Sequence, residues 1–328
     1  MNKVLYIILI SLFSFTVISC SDKEESSSSS SSSGTTTTTT DETTTSSSGS
    51  GVFVAVGYSG NIIRSTDNGS SWDNVTSPTA NDLWEVTFGN NTFVAVGLSG
   101  NIMRSTDNGS SFDNVTSGTD QHLYGVTYGN NTFVAVGKGG KIFTSSDGTT
   151  WTSRTSGIAY NLMEVTFGNN TFVAVGYSGK IVRSTDNGTT WDNATSPTDK
   201  TIYGVAFGNN TFLAAAAAGN IVRSTDNGSS FDNVTSSSPV QNHYEVAFGN
   251  NTFVVVQHRQ YIVRSEDNGS SFDNATSPGS GNNYYGVGFG NNTFVAVGSG
   301  KIVRSTDNGS SFDDVTSPTS NYLKGVTF

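Results

Sequence analysis

The stretch RSTDNGSSW, Arg64 to Trp72, returns with small changes six more times along the chain. Its aspartates, Asp67, Asp107, Asp147, Asp186, Asp226, Asp267 and Asp307, follow one another at intervals of 40, 40, 39, 40, 41 and 40 residues. A fixed period of this length means one supersecondary unit repeated, because such a unit can bury its apolar face only against its neighbours. Each unit holds four short segments rich in Val, Phe, Thr and Ile and bounded by Gly, Asn and Ser. In the second unit they are LWEVTFGN from Leu83, TFVAVG from Thr92, NIMRST from Asn101 and SFDNVTS from Ser111. These are strand signals with turn punctuation, and no window has a helical period. Seven units of four strands predict an all-β chain folded as a seven-bladed β-propeller of antiparallel blades.

The phase of the repeat predicts how the ring closes. GVFVAVG at Gly51 opens in mid-unit, lacking the strand that precedes it in every other unit, and LKGVTF, 323–328, is that strand alone. Seven first strands are marked by Val86, Val126, Val165, Val205, Val246, Val287 and Val326, and seven second strands by Phe53, Phe93, Phe133, Phe172, Phe212, Phe253 and Phe294. Pairing of 323–328 with 52–57 is therefore expected to complete a blade from both ends of the domain. A solenoid would instead want polar capping repeats.

Ser65 to Trp72 fits the pattern S-x-D-x-G-x-x-W, as does Ser184 to Trp191, while four copies carry Phe112, Phe231, Phe272 and Phe312 in the last place. The third copy, SSDGTTW from Ser145, lacks the residue between Asp and Gly, which predicts a tighter turn. In these residues the chain resembles the Asp-box (BNR) repeat propellers over the whole of 51–328. That group includes sialidases, sortilin-like receptors, some endoglucanases and the photosystem II assembly-factor group. The resemblance implies a shared fold and little shared chemistry. Physically the box is a hairpin turn: a short acid accepts backbone N–H bonds, Gly takes the positive-φ position, and the aromatic covers the turn from the core. Copies spread around a ring cannot converge on one substrate, so the box aspartates read as structural.

The amino terminus carries its own information. Residues 1–19 combine Lys3 with an apolar run from Val4 to Ile18, a secretory signal in form and too short for a confident membrane span. VISC resembles a bacterial lipobox, which implies cleavage before Cys20 and its lipidation. Cys20 is the chain's single cysteine, so no intramolecular disulfide can form. Residues 20–50 are Ser- and Thr-rich with little to bury and read as a disordered tether. Acidic residues just after Cys20 resemble a surface-export signal of Bacteroidetes lipoproteins, so the expected location is extracytoplasmic, at the outer membrane or cell surface, held through multiple acyl chains. The domain at 51–328 is long enough to bury about 75% of its unfolded surface. The chain's net charge of −10, and the absence of a basic face, exclude nucleic acid as a partner.

In a repeat protein the ring is built by what recurs, and a site by what varies. The loops from fourth to first strand and from second to third fall on one face, and they vary: PTANDL, GTDQHL, GIAYNL, SPVQNHY and PGSGNNYY in one set, GYSGN, GKGGK, AAAAGN and QHRQY in the other. Three constellations stand out there. Two residues before the first-strand Val come Trp84, Tyr124, Met163, Tyr203, Tyr244, Tyr285 and Lys324; the rings could stack on a sugar or a peptide, or pack between blades on the face they share with Val and Phe. One residue later stand Glu85, Gly125, Glu164, Gly204, Glu245, Gly286 and Gly325, and the three glutamates are the metal candidates, able to offer oxygen to a hard cation, point into solvent, or pair with Lys324. The sixth unit replaces its Gly-rich turn with His258, Arg259, Gln260 and Tyr261, a polar cluster near His243 suited to a carboxylate, or a drifted loop.

An enzyme is not expected. A sialidase-like site would resemble an arginine cluster with an Arg-Ile-Pro motif, which the chain lacks, and six of eight arginines, Arg64, Arg104, Arg183, Arg223, Arg264 and Arg304, share one slot beside the box. A glycosidase needs two acids about 5 to 9.5 Å apart, and alternate-blade placement of Glu85, Glu164 and Glu245 is expected to hold them farther apart. No zinc-ligand spacing or nucleophile–base set is present. The expectation is a cofactor-free, monomeric binding or scaffolding module for a glycan or protein at the variable face. A glycoside hydrolase, an assembly factor and a surface spacer are the alternatives.

Overall fold

The computed structural model describes residues 51–234, 241–278 and 283–328; the expected signal peptide, the lipidated Cys20 and the tether lie outside them, as do parts of the loops before blades 6 and 7. Seven four-stranded antiparallel sheets form the blades of a propeller. Blade 1 is completed by the C-terminal strand Leu323–Thr327, which lies innermost and pairs with Phe53–Gly57 in the register Val54 with Thr327 and Ala55 with Val326. Blades 2 to 7 begin with their own inner strands, from Leu83–Gly89 in blade 2 to Tyr284–Gly290 in blade 7.

The second strands read as unbroken apolar runs because both of their faces are covered. In Thr92–Gly97, Phe93 and Ala95 enter a cluster with Val54, Val56 and Ile62 of blade 1, while Val94 and Val96 enter one with Leu123 and Phe133 of blade 3. The core is thus a set of seven wedges between neighbouring blades, and no blade has an apolar centre of its own. At the lower end the inner-strand aromatic of blades 3 to 7, and Phe328 of blade 1, lies over a glycine of the blade before it. A Cβ on Gly168 would stand 2.0 Å from the Phe207 ring, and one on Gly290 1.9 Å from Phe328, which brings the last residue into the ring.

The repeated turn does two things. Locally, Asp67 accepts from the Ser65 and Ser71 hydroxyls and the Ser71 N–H, Gly69 donates its N–H to Ser65 Oγ, and Trp72 is buried with its Nε1 donating to Gly69 O. Asn68 and Gly69 hold φ of 61° and 81°, the left-handed region that Asn and Gly tolerate. The third copy is tighter by one residue: Gly148 reaches back three positions to Ser145 Oγ where the other copies reach four. Across blades the turn acts as a latch. The box Asn bonds the Thr that opens the second strand of the preceding blade, as Asn227 Nδ2 does to Thr171 Oγ1 at 2.7 Å, and the preceding blade's Arg returns a bond, as Arg223 Nε does to Asn268 O at 2.7 Å. This accounts for the six arginines in one slot. Blade 3 lacks both parts, having no box Asn and Thr144 in the Arg slot; Arg104 to Asp147 O and Asn187 to Thr132 are the remaining latches on its two sides.

Candidate functional site at the channel mouth

The inner strands bring the variable residues to the axis by an irregularity common to all seven. Leu83 pairs with Gly97 but Glu85 pairs with Val96, so Trp84 is an extra, bulged residue, and the same shift recurs at Tyr124, Met163, Tyr203, Tyr244, Tyr285 and Lys324. A bulge breaks the two-residue alternation and re-aims the side chain. The neighbouring Leu83, Leu123 and Leu162 remain fully buried between blades, whereas Trp84, Tyr124, Tyr203, Tyr244 and Tyr285 are half-buried at the mouth. The bulge takes these side chains off the face that alternation would share with the first-strand Val, while their rings still pack against those of neighbouring blades.

The rings form an almost continuous belt. Tyr203 meets Tyr244 at 5.7 Å between centroids, Tyr244 meets Tyr285 at 5.2 Å, and Tyr285 meets Tyr322 at 6.1 Å. Tyr322 then meets Tyr58 at 5.4 Å, Tyr58 meets Trp84 at 6.0 Å, and Trp84 meets Tyr124 at 5.8 Å. Met163 of blade 4 occupies the interval, and burial, with a smaller electrostatic contribution from Tyr177 in the turn above, raises the Tyr124 and Tyr203 phenol pKa values. Sequence reasoning missed Tyr58, Tyr177 and Tyr322, which come from loops; the signal was there in the shared turn slot of Tyr58 and Tyr177. Lys324 takes the seventh place in the belt. Its ammonium lies 3.5 Å from the Tyr285 ring centroid, 4.8 Å from Tyr58 and 5.1 Å from Trp84, and burial pushes its pKa down to about 8 against a smaller opposing pull from Asp82.

One residue beyond the belt the three glutamates converge. One carboxylate oxygen from each of Glu85, Glu164 and Glu245 lies within 4.8 Å of the others. The expectation that alternate blades hold them farther apart fails, because at the innermost position the ring is narrow and each side chain leans over its neighbour. The Glu–Gly alternation is what allows it: a Cβ on Gly204 would stand 2.6 Å from Glu245 Oε1, and one on Gly325 2.5 Å from Glu85 Oε1. Each carboxylate accepts one hydrogen bond, from the N–H of the next residue, at 2.8 to 2.9 Å for Val86, Val165 and Val246. Among the described residues no side chain donates to them, and Lys324 forms no ion pair with them. Burial holds the Glu85 carboxyl up at about 8, and burial together with the neighbouring glutamates holds Glu164 and Glu245 well above the ordinary range.

The cluster of blade 6 stands apart from this. His258 Nδ1 faces Gln241 Oε1 at 3.2 Å, Arg259 is exposed with φ of 61°, and Tyr261 is 51% exposed, and no ring contact ties His258 or Tyr261 to the belt. His243 is buried where other blades have Leu, Ile or Tyr, and burial lowers its pKa to about 4. Part of the loop variation is structural. Asp82, His122, Asn161, Asn242 and Asn283 each accept from the backbone N–H in the turn of the preceding blade, at Ser59, Ser99, Gly139, Ala218 and Arg259.

Chemically the mouth offers aromatic faces, phenol hydroxyls, one caged ammonium and a trio of carboxyls. All three carboxyls are shifted upward, whereas acid–base hydrolysis by two carboxyls relies on environments that push their pKa values apart. No protein-family model matches the chain, and no curated protein matches it in sequence. Solved structures match it in fold. A structure described as YCF48 bound to D1 peptide has a TM-score of 0.62 at 14% identity, covering 83% of this chain and 96% of that one. YCF48 from Cyanidioschyzon merolae gives 0.61 at 16% identity, covering 84% and 90%. The computationally designed Ika8 protein gives 0.61 at 13% identity, covering 85% and 87%.

Proposed function

We propose that this chain is a non-catalytic binding module of the Asp-box propeller type that holds an extended segment of a protein partner across the aromatic mouth of its channel. The observation that carries this reading is the belt from Tyr203 round to Tyr124: rings half-buried and half-open at one end of the axis, apolar on their faces and polar at their hydroxyls. Such rings supply contact area at little cost in side-chain entropy and are enriched where one end of a residue is dry and the other wet. That one neighbour in fold is described as bound to a peptide supports a protein partner. The rings would also stack on a sugar, and a glycan is the second reading. Anchoring through a lipidated Cys20, with the propeller carried outside the cytoplasm on the 20–50 tether, belongs to the same proposal and rests on the sequence of the amino terminus.

The test is binding of the full chain in detergent to peptide and glycan arrays, beside the double variant Trp84→Ala and Tyr124→Ala. The expected result is peptide binding that falls at least tenfold in the variant while circular dichroism stays unchanged. Binding that survives the double substitution would move the site elsewhere, and binding to the glycan array alone would replace the peptide reading with the sugar one.

A further inference from the structure

The belt and the carboxyl trio lie at successive positions of the same strands, and this stacking specifies a ligand more narrowly than either part does. We infer that the mouth recognises a lysine side chain of the partner, its methylene stem against the Tyr203–Tyr244 arc and its ammonium seated among Glu85, Glu164 and Glu245. The inference rests on the binding reading above and names what the bound segment carries.

Geometry sets the class. Three oxygens within 4.8 Å of one another place a centred atom at ~2.8 Å or less from each, the distance of a charge-assisted N⁺–H···O⁻ bond. A lysine ammonium has three N–H donors and no acceptor, one donor for each carboxylate. Arginine brings a flat fork suited to a single carboxylate, and a hard metal ion would need all three carboxylates bidentate, or added waters, to reach six to eight oxygens and gains nothing from an aromatic collar.

Three further observations point the same way, the first two independent of the acids. The chain's own Lys324 is caged by Tyr285, Tyr58 and Trp84, so one side of this belt already holds a primary ammonium on ring faces. On the other side, Tyr124, Tyr203 and Tyr244 have no described cation over them. A Lys stem buries its methylenes on such surfaces while its charge goes to the polar end. Glu164, only 8% exposed, has no donor other than its neighbour's backbone N–H, and a buried carboxylate without a counter-charge is costly.

The experiment is calorimetric titration of the full chain in detergent with four capped pentapeptides, Gly-Gly-X-Gly-Gly, where X is lysine, arginine, trimethyl-lysine or norleucine, and with calcium chloride. The lysine peptide is expected to bind at least tenfold more tightly than the norleucine and trimethyl-lysine peptides, and threefold or more above arginine. The triple variant Glu85→Gln, Glu164→Gln, Glu245→Gln should abolish that preference. Equal binding of all four peptides, lost on Trp84→Ala and Tyr124→Ala, would overturn the lysine inference and leave the mouth as the binding site. No binding of the lysine peptide at 20-fold the concentration where an array peptide binds, or calcium binding that the triple variant removes while the peptides are ignored, would also overturn it.

Discussion

The carboxyl trio gives the structure a pH signature that can be worked out in advance. Glu85 has its pKa raised to about 8 from an ordinary 4.5, and Glu164 and Glu245 are raised well above it. In this range the folded chain holds protons that the unfolded chain has released, so stability is full below about 4.5 and falls as pH rises through the folded values. Other groups act outside the middle of that range. Asp107, Asp186, Asp226 and Asp267 sit at about 2 because desolvation, the largest single contribution in all but Asp186, is outweighed by their several hydrogen bonds together, and they lose their contribution only in acid. His243, lowered to about 4, adds stability as pH rises to its ordinary 6.5, and Lys324, lowered to about 8, does so above that value. Between pH 6.5 and 8 the trio therefore dominates. One proton retained across that window amounts to about 2 kcal/mol, at roughly 1.4 kcal/mol per pH unit. The unfolding free energy of the wild type from urea titrations should fall by that amount from pH 6.5 to 8, and the triple glutamine variant should show no fall and be more stable at pH 8. A wild-type curve that is flat or rising, or an equal fall in the variant, would refute the reasoning.

Two predictions concern the ring itself. Gly168→Ala should lower stability by more than about 3 kcal/mol, because its Cβ would stand 2.0 Å from the Phe207 ring, whereas Gly157→Ala, with nothing within 4 Å but φ of 76°, should cost about 1 kcal/mol; thermal melts of the two variants check the difference. Asn227→Ala removes the latch to Thr171 and should cost about 1 kcal/mol in urea unfolding, with no effect on peptide binding at the far face.

The repeat made the blade count, the strand content and the closure legible. Each unit presents the same apolar strand to two neighbours, and the missing first strand of blade 1 had one place to come from, Leu323–Thr327. Less of the mouth could be read. Alternation places Trp84 on the side of Val86, and the bulge that turns it to the axis is a backbone event with no residue of its own to announce it, since Trp, Tyr, Met and Lys all occupy the position. Convergence of the glutamates depends on how narrow the ring is at its innermost strand, which no spacing along the chain encodes. The glycines did carry a trace of it: Gly125, Gly204 and Gly325 are where the carboxylates of Glu164, Glu245 and Glu85 lie. Loop variation was the weaker guide, since Asp82, His122 and Asn161 vary in kind while making the same clamp on a backbone N–H.

Stability and recognition meet in the same three side chains. Seven blades cannot alternate Glu and Gly without a fault, and the fault falls between blades 7 and 1, where Gly286 and Gly325 are neighbours and a Cβ on Gly286 would meet Lys324 O at 2.3 Å. The ring is thus left with three acids and one caged lysine, a mouth short of positive charge. Acids that repel one another in a dry site hold protons at a pH where they would ordinarily be ionised, and a ligand that supplies a cation must displace those protons as it binds. Binding of a lysine peptide should accordingly release protons, strengthen as pH rises from 6.5 to 8, and restore the stability that the unliganded chain loses over that interval, because whatever binds only the folded state adds to its stability. A sugar stacked on the rings would add stability but would neither release protons nor bind more tightly as pH rises, so the pH dependence of binding separates the two ligand classes without any substitution in the protein.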